Sequence, residues 1–369
     1  MRSTNWARVA ILGILIIVLG IPPAALTTLA KSQEGPQKPP PAQQPAQPKP
    51  PTGQQQGGQS QPQQQPPQVS ISVVSNLVNV DAVVTDQNGN ILTGLKRENF
   101  RITDNGQVQQ ITNFAPTDAP ITIVILMEFS RVGSSWGYFG YKAKEWAYGF
   151  VSHLTDKDWV ALKTFSLNTT LQVDFTHNRN EVAQAIASLY YPDFREANVF
   201  DATYETIDQL RDVKGKKSIL LLTTGIDTFS KHTLDQTYKL LKETEVSVFC
   251  VGMGEEIDLY GRGGGGVGYL QAKNQLTQFA QMTGGYAWFP RFPGEMPDIF
   301  NSVAAFLRSQ YTLGFTPSAP PDGRYHKLKV EIVDPQGNAL MVADKKGKMK
   351  KVVVYAREGY TAPNATPGD

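Results

Sequence analysis

The sequence is poor in the side chains that usually carry catalysis or bind transition metals. Its 369 residues include one cysteine and four histidines. Cys250 has no partner in the chain, which excludes an internal disulfide. It sits in "EVSVFCVGMG" among apolar neighbours, where a free thiol behaves as a small core hydrophobe. His153, His177, His232 and His326 are scattered with no local metal-ligand spacing. A surplus of one charge sign is also missing. The 35 basic and 33 acidic residues leave a net charge of +2, which removes the electrostatic argument for nucleic acid as a partner. No Walker-type phosphate loop, paired-His zinc motif or Gly-x-Ser-x-Gly elbow is found. "GRGGGG", residues 261–266, formally fits Gly-x-Gly-x-x-Gly, but it follows polar residues where the motif requires a strand, and it reads as a flexible loop.

Long apolar runs are scarce too, apart from one at the amino terminus. Arg2 and Arg8 precede the run Val9 to Ile21, and Thr28 with Ala30 offers a small-residue cleavage site, so residues 1–30 read as an export signal. The alternative is an uncleaved anchor, because Val9 to Ala30 is about long enough to span a bilayer although Pro22 and Pro23 interrupt it. No cysteine lies nearby to carry a lipid. Residues 31–68 contain 25 Pro or Gln in 38 positions and read as a disordered, extended spacer. The expected location is therefore periplasmic or extracellular, with a membrane contact only through an uncleaved amino terminus.

Alternating strands joined by tight turns occupy residues 69–118, where "DQNGN" and "TDNGQ" carry the Asn-Gly pair that hairpins favour. Residues 311–360 repeat the style in "YTLGFTP", "YHKLKVEIVDPQGNALMVA" and "KVVVYAREGY", and residues 361–369 read as a disordered tail. Neither piece has enough strands for an independent sandwich, so the two are expected to pair as one small β domain. Between them, residues 119–310 alternate strand and helix. "ITIVILM" is a strand buried on both faces, and Phe139, Ala143, Trp146, Ala147, Phe150 and Leu154 then recur at helical spacing. Further helices are expected from Arg179 to Leu189, Phe200 to Val213, His232 to Glu243 and Ala272 to Met282, and a last one through "DIFNSVAAFLRSQ". The order of elements predicts an α/β fold, a doubly wound and mostly parallel sheet. In such sheets ligands gather outside the carboxyl ends of the strands, where Glu128, Ser130 and Ser134 fall.

The segments "VTDQNGNILTGLKRENFRITDNGQVQQITNF", "ANVFDATYETIDQL", "KSILLLTTGIDTFS" and "QYTLGF" followed by "REGY" resemble the bacterial VWFA-related family, with the central region similar to a von Willebrand factor type A domain. The resemblance implies a Rossmann-like head and a metal-ion-dependent adhesion site built as Asp-x-Ser-x-Ser, a Thr and a further Asp. Carried over by position, the first Asp is Glu128, the first Ser is kept as Ser130, and the second Ser is Val132. The Thr is Ala197 and the final Asp is Thr224. Four of the five positions depart from the pattern, and Val and Ala offer no side-chain oxygen to a hard cation.

The expectation is an exported, non-enzymatic module that binds a protein or another envelope or extracellular macromolecule without a metal. Trp136, Tyr138 and Asp227 are its candidate partner-binding residues. Two alternatives stay open. One is a metal-dependent adhesin holding Mg²⁺ or Mn²⁺ in a rearranged site that recruits Glu196, Asp227 or Ser134. The other is an enzyme at the sheet's carboxyl end.

Overall fold

The computed structural model describes residues 77–115, 120–131, 138–190, 194–213, 215–253, 266–344 and 346–364. The expected export signal and spacer, the tail from 365, Val132, Ser134, Trp136 and the glycine run up to residue 265 lie outside them, as does the side chain of Tyr138.

Strands open the described chain: β1 (Val78–Thr85), β2 (Phe100–Asp104), β3 (Gln107–Gln109) and β4 (Ile111–Ala115). An α/β region follows, with β5 (Thr122–Glu128), α1 (Tyr138–Val151), β6 (Trp159–Phe165), β7 (Thr169–Thr176), α2 (Arg179–Ser188) and α3 (Val199–Gln209). It continues through β8 (Lys217–Thr223), α4 (Leu234–Glu243), β9 (Ser247–Gly252), α5 (Gly266–Met282), β10 (Ala287–Trp288) and α6 (Met296–Arg308). Strands close it: β11 (Tyr311–Phe315), β12 (Tyr325–Ile332), β13 (Met341–Ala343), β14 (Met349–Lys351), β15 (Val353–Ala356) and β16 (Gly359–Thr361).

The central sheet runs β10-β9-β8-β5-β6-β7 and is parallel except for the edge strand β7, which pairs antiparallel with β6. This is the doubly wound sheet the sequence predicts. Its strands are continuous apolar runs because each feeds two cores. In β5, Ile123, Ile125 and Met127 join Phe150 of α1, Ile186 of α2 and Phe300 of α6, while Val124 and Leu126 join Ala202 of α3, Leu241 of α4 and Phe279 of α5. Cys250 is buried in the second of these cores.

Helix boundaries follow local hydrogen bonds more closely than apolar spacing. α4 starts at Leu234, two residues after the expected His232, because Thr233 and Gln236 form a capping box ahead of it. α3 stops at Gln209 instead of reaching Val213. α5 begins at Gly266, a turn and a half before the expected Ala272, so its first turns grow out of the end of the glycine run.

Strands from the two flanks share sheets. β11 lies between β1 and β4, and β12 lies between β16 and β2. One hydrophobic cluster joins both sheets: Val80 and Val84 of β1, Ile102 of β2, Leu313 and Phe315 of β11, and Leu328 of β12. Phe100 packs against Tyr311 at 5.0 Å between ring centroids. The turns are set by a recurring Asp-x-x-Gly. Oδ1 of Asp86 accepts from the amides of Asn88 and Asn90, that of Asp334 from Gln336 and Asn338, and that of Asp344 from Lys346 and Lys348. The glycine of each turn takes a positive φ: Gly89, Gly337 and Gly347.

The flanks pack on the α/β region through the other face of β1. Val83 points away from its even-numbered neighbours into the core that holds Phe306 and Leu307 of α6. Beside it, the Tyr355 ring meets Tyr286 edge-on at 5.2 Å and Phe306 at 5.3 Å. The backbone of Arg357 bridges that of Thr283.

Candidate functional site

In the central sheet the chain winds from β5 to β6 in one direction and from β8 to β9 in the other. The crevice between the carboxyl ends of β5 and β8 is therefore the switch point at which this fold class builds its sites. Glu128, the last residue of β5, stands on one side; Thr223, the last of β8, and Thr224 stand on the other.

Glu128 does not face solvent. It is 0% exposed, and Ser130, Thr223 and Thr224 around it are also buried. One carboxylate oxygen accepts from the Ser130 hydroxyl at 2.5 Å. The other accepts from the Thr223 hydroxyl at 2.6 Å, the Thr224 amide at 2.8 Å and the Thr224 hydroxyl at 2.9 Å. The threonine hydroxyls are engaged in turn, Thr223 accepting from the Gly225 amide and Thr224 from the Ile226 amide. No cationic side chain is among these partners. Burial raises the Glu128 pKa from its ordinary 4.5, opposed by the four hydrogen bonds. The crevice is thus plugged by one side chain bonded across it.

The same partners decide how a divalent cation would fit. Such an ion needs several oxygens converging on a common point. Here three hydroxyls and an amide already donate to the Glu128 carboxylate, three of them to one oxygen, so a cation would have to displace these donors. Among the described residues no group of three or more His, Cys, Asp or Glu could hold a metal ion.

Ala197 and Asp227 are held by backbone pairing around α3. The Ala197 amide donates to the Thr228 hydroxyl at 2.8 Å, and its carbonyl accepts from the Thr228 amide at 3.0 Å. Asp227 accepts from the Phe200 amide at 3.1 Å and from the Ser230 hydroxyl at 2.5 Å, which makes it a cap for the first turn of α3. Its carboxylate is half-buried and accepts a third hydrogen bond from the Ser230 amide at 3.3 Å. Glu196 accepts from the neighbouring Arg195 amide and is not bonded to Glu128.

The sequence reading missed two groups of residues. The first is Thr223, whose hydroxyl completes the Glu128 cradle; the signal was the doubled threonine of "LLLTTG", of which only Thr224 corresponds to a site position. The second is a set of exposed apolar side chains on the loops around the plug. Phe229 is 70% exposed, Phe194 is 45% exposed, and Ile226 is also exposed. These loops are tied together: the Arg131 amide donates to the Phe194 carbonyl at 2.9 Å, and Ala197 pairs with Thr228. Asp201 lies just below. It accepts from the Lys231 and His232 amides and from the His232 ring at 2.7 Å, and that ring stacks on Tyr204 at 3.9 Å.

A doubly wound sheet with its switch point at β5 and β8 defines an α/β scaffold that presents loops at one end. Residues 131–284 match the family model of the von Willebrand factor type A domain, so the α/β region carries a type A domain. No curated protein matches the chain. Several solved structures are similar to it. Proximal thread matrix protein 1 from the mussel byssus aligns over 52% of this chain and 49% of its own, at 16% identity and a TM-score of 0.40. This chain thus spans about half the length of that protein. A von Willebrand factor type A protein from Catenulispora acidiphila aligns over 71% and 73%, at 13% identity and 0.41. The von Willebrand factor domain of the type V pili tip protein Mfa5 from Porphyromonas gingivalis aligns over 52% and 95%, at 12% identity and 0.40.

Proposed function

We propose that the protein is an exported, non-enzymatic interaction module whose type A domain meets a protein partner at the carboxyl end of its sheet, by side-chain packing and without a bridging cation. The observation that carries this reading is the filled crevice, in which the oxygens of Glu128 are consumed by Ser130, Thr223 and Thr224. A type A domain that bound through an ion would need an acidic group open to that ion. What the loops offer instead is apolar: Phe229, Ile226 and Phe194 stand out around the plug, and large apolar side chains of this kind anchor protein interfaces. Trp136 and Tyr138 belong to the same proposed surface by their place in the sequence, between β5 and the body of α1. Against an enzyme stands the chemistry of the nucleophile at hand. Cys250 is fully buried and burial pushes its thiol pKa up, away from the reactive thiolate.

The test is capture of partners from envelope extract by the full chain, in EDTA and in Mg²⁺. Equal capture in both, lost in Phe229→Asp, is the expected result. Capture that appears only with Mg²⁺, together with calorimetric Mg²⁺ or Mn²⁺ binding well below about 1 mM that Glu128→Ala abolishes, would return the protein to the metal-dependent alternative.

A further inference from the structure

At the opposite end of the sheet, where the flanks meet the amino ends of β8 and β9, lies a cationic side chain that makes no ion pair among the described residues. Arg357 follows β15. Its Nε is buried without a hydrogen bond, and its guanidinium makes no ion pair with any described residue. Its one noted contact is with the face of the Tyr360 ring, 5.8 Å from the centroid. Buried donors without acceptors are costly, about 1–3 kcal/mol each, so such a group calls for an explanation.

Of the two acids near it, one is occupied. Asp81 accepts from the Thr312 hydroxyl at 2.6 Å and pairs with Lys216 at 3.4 Å. Glu245, the other carboxylate near Arg357, is exposed on the loop before β9. Burial accordingly pulls the Arg357 pKa below its usual value, with Glu245 and Asp81 opposing only in part.

Arg357 borders two cavities, of ≈ 710 and ≈ 460 Å³. The larger is in the range of small-molecule sites, about 300–1,000 Å³. One part of its wall is apolar, with Leu77, Pro317, Pro320 and Pro363, and a proline has no amide hydrogen to donate; Ser318, His326 and Tyr360 make the rest polar. Its acidic residues, Glu243 and Glu245, make it hostile to a multiply charged anion. One negative charge is what the unpaired guanidinium can neutralise, and its planar fork matches the two oxygens of a carboxylate.

We propose that this cleft binds a monocarboxylate with an apolar body, the carboxylate on the Arg357 guanidinium and the body along the proline wall. A free acid and the carboxyl terminus of a peptide share this chemistry. The site is independent of the partner surface at the other end of the sheet.

The experiment is calorimetric titration of the full chain with octanoate and with N-acetyl-leucyl-leucine, against octan-1-ol and inorganic phosphate. At least one carboxylate probe is expected to bind saturably, octanol to bind more weakly, and phosphate to leave the bound probe in place. A preference for the peptide assigns the ligand to chain termini, and the reverse preference assigns it to free acids. Arg357→Met should weaken binding by about tenfold or more. Pro320→Glu, at an exposed position where folding is not at stake, should weaken it several-fold through like-charge repulsion. The proposal is overturned if neither probe saturates by about 10 mM, if phosphate displaces the probe, or if binding is unchanged in folded Arg357→Met. Should that variant fail to fold, unchanged binding in Pro320→Glu is enough to overturn it.

Discussion

Glu128 shows how a single residue can be legible in its position and illegible in its role. The sequence marks it clearly, as an acid ending an apolar strand at the end of the sheet where sites form. What it does depends on Thr223 and Thr224, nearly a hundred residues away, which become neighbours only when β5 and β8 pair. Local patterning could not distinguish a solvated carboxylate from a buried one bonded to four donors. The burial has a measurable consequence. Because the folded pKa is raised above 4.5, the folded state holds its proton more tightly than the unfolded chain does. This contribution to stability is complete below pH 4.5 and is lost as pH rises through the folded value. Glu128→Gln keeps the shape and removes the titration, while the Ser130 and Thr hydroxyls can turn to accept from the new amide. The urea midpoint of the parent relative to the variant, measured from pH 4 upward, should fall as pH rises, the other carboxylates being common to both. Parallel profiles would show that Glu128 binds its proton no more tightly in the fold than in the unfolded chain.

Elements were more readable than residues where one signal dominated. Continuous apolar runs gave β5, β8 and β9 away, because a strand covered on both faces has no polar side to show. Boundaries were harder, since they are decided by single hydrogen bonds such as the Thr233 cap. Close approaches of backbone were harder still, because a glycine in sequence does not say what stands next to it. Gly285, just before β10, is such a case. Its own φ is not in the left-handed region, yet a Cβ added there would overlap the Val248 carbonyl of β9. Neither side can yield easily, because the obstacle is the backbone of a central strand whose Val248 amide is itself bonded to Thr283. Gly285→Ala is therefore expected to cost about 3 kcal/mol or more, far beyond the few tenths usual for a surface change. Denaturant melts of the two proteins check this. A cost below about 0.5 kcal/mol would mean that β9 and β10 move apart freely.

At the scale of the molecule, the question is whether the β-rich flanks are ornaments on the type A domain or part of one folding unit. β1 is built for the second answer. Val80, Ala82 and Val84 enter the core shared with β2, β11 and β12, while Val83 enters the core of the α/β region. Alternation along one strand thus joins two hydrophobic clusters, and Tyr355 extends the join by packing on Tyr286 and Phe306. Within residues 78–115 the strands pair among themselves only in the β2-β3 hairpin: β1 and β4 are held apart by β11, and the other side of β2 is paired with β12. A chain truncated after Gln310 would leave those strands with unpaired edges and uncover the Val83 side of α6. We expect its residues 78–115 to be cut rapidly by a nonspecific protease while the α/β region resists, and its melting temperature to fall by several degrees, as losing a few kcal/mol from a protein of this size requires. Val83→Asp in the intact chain isolates the second effect, since it leaves every strand paired and places an unpaired charge in the α/β core. If the truncated chain kept its melting temperature and its amino-terminal strands stayed protected, the flanks would be separate structures that touch the type A domain without supporting it.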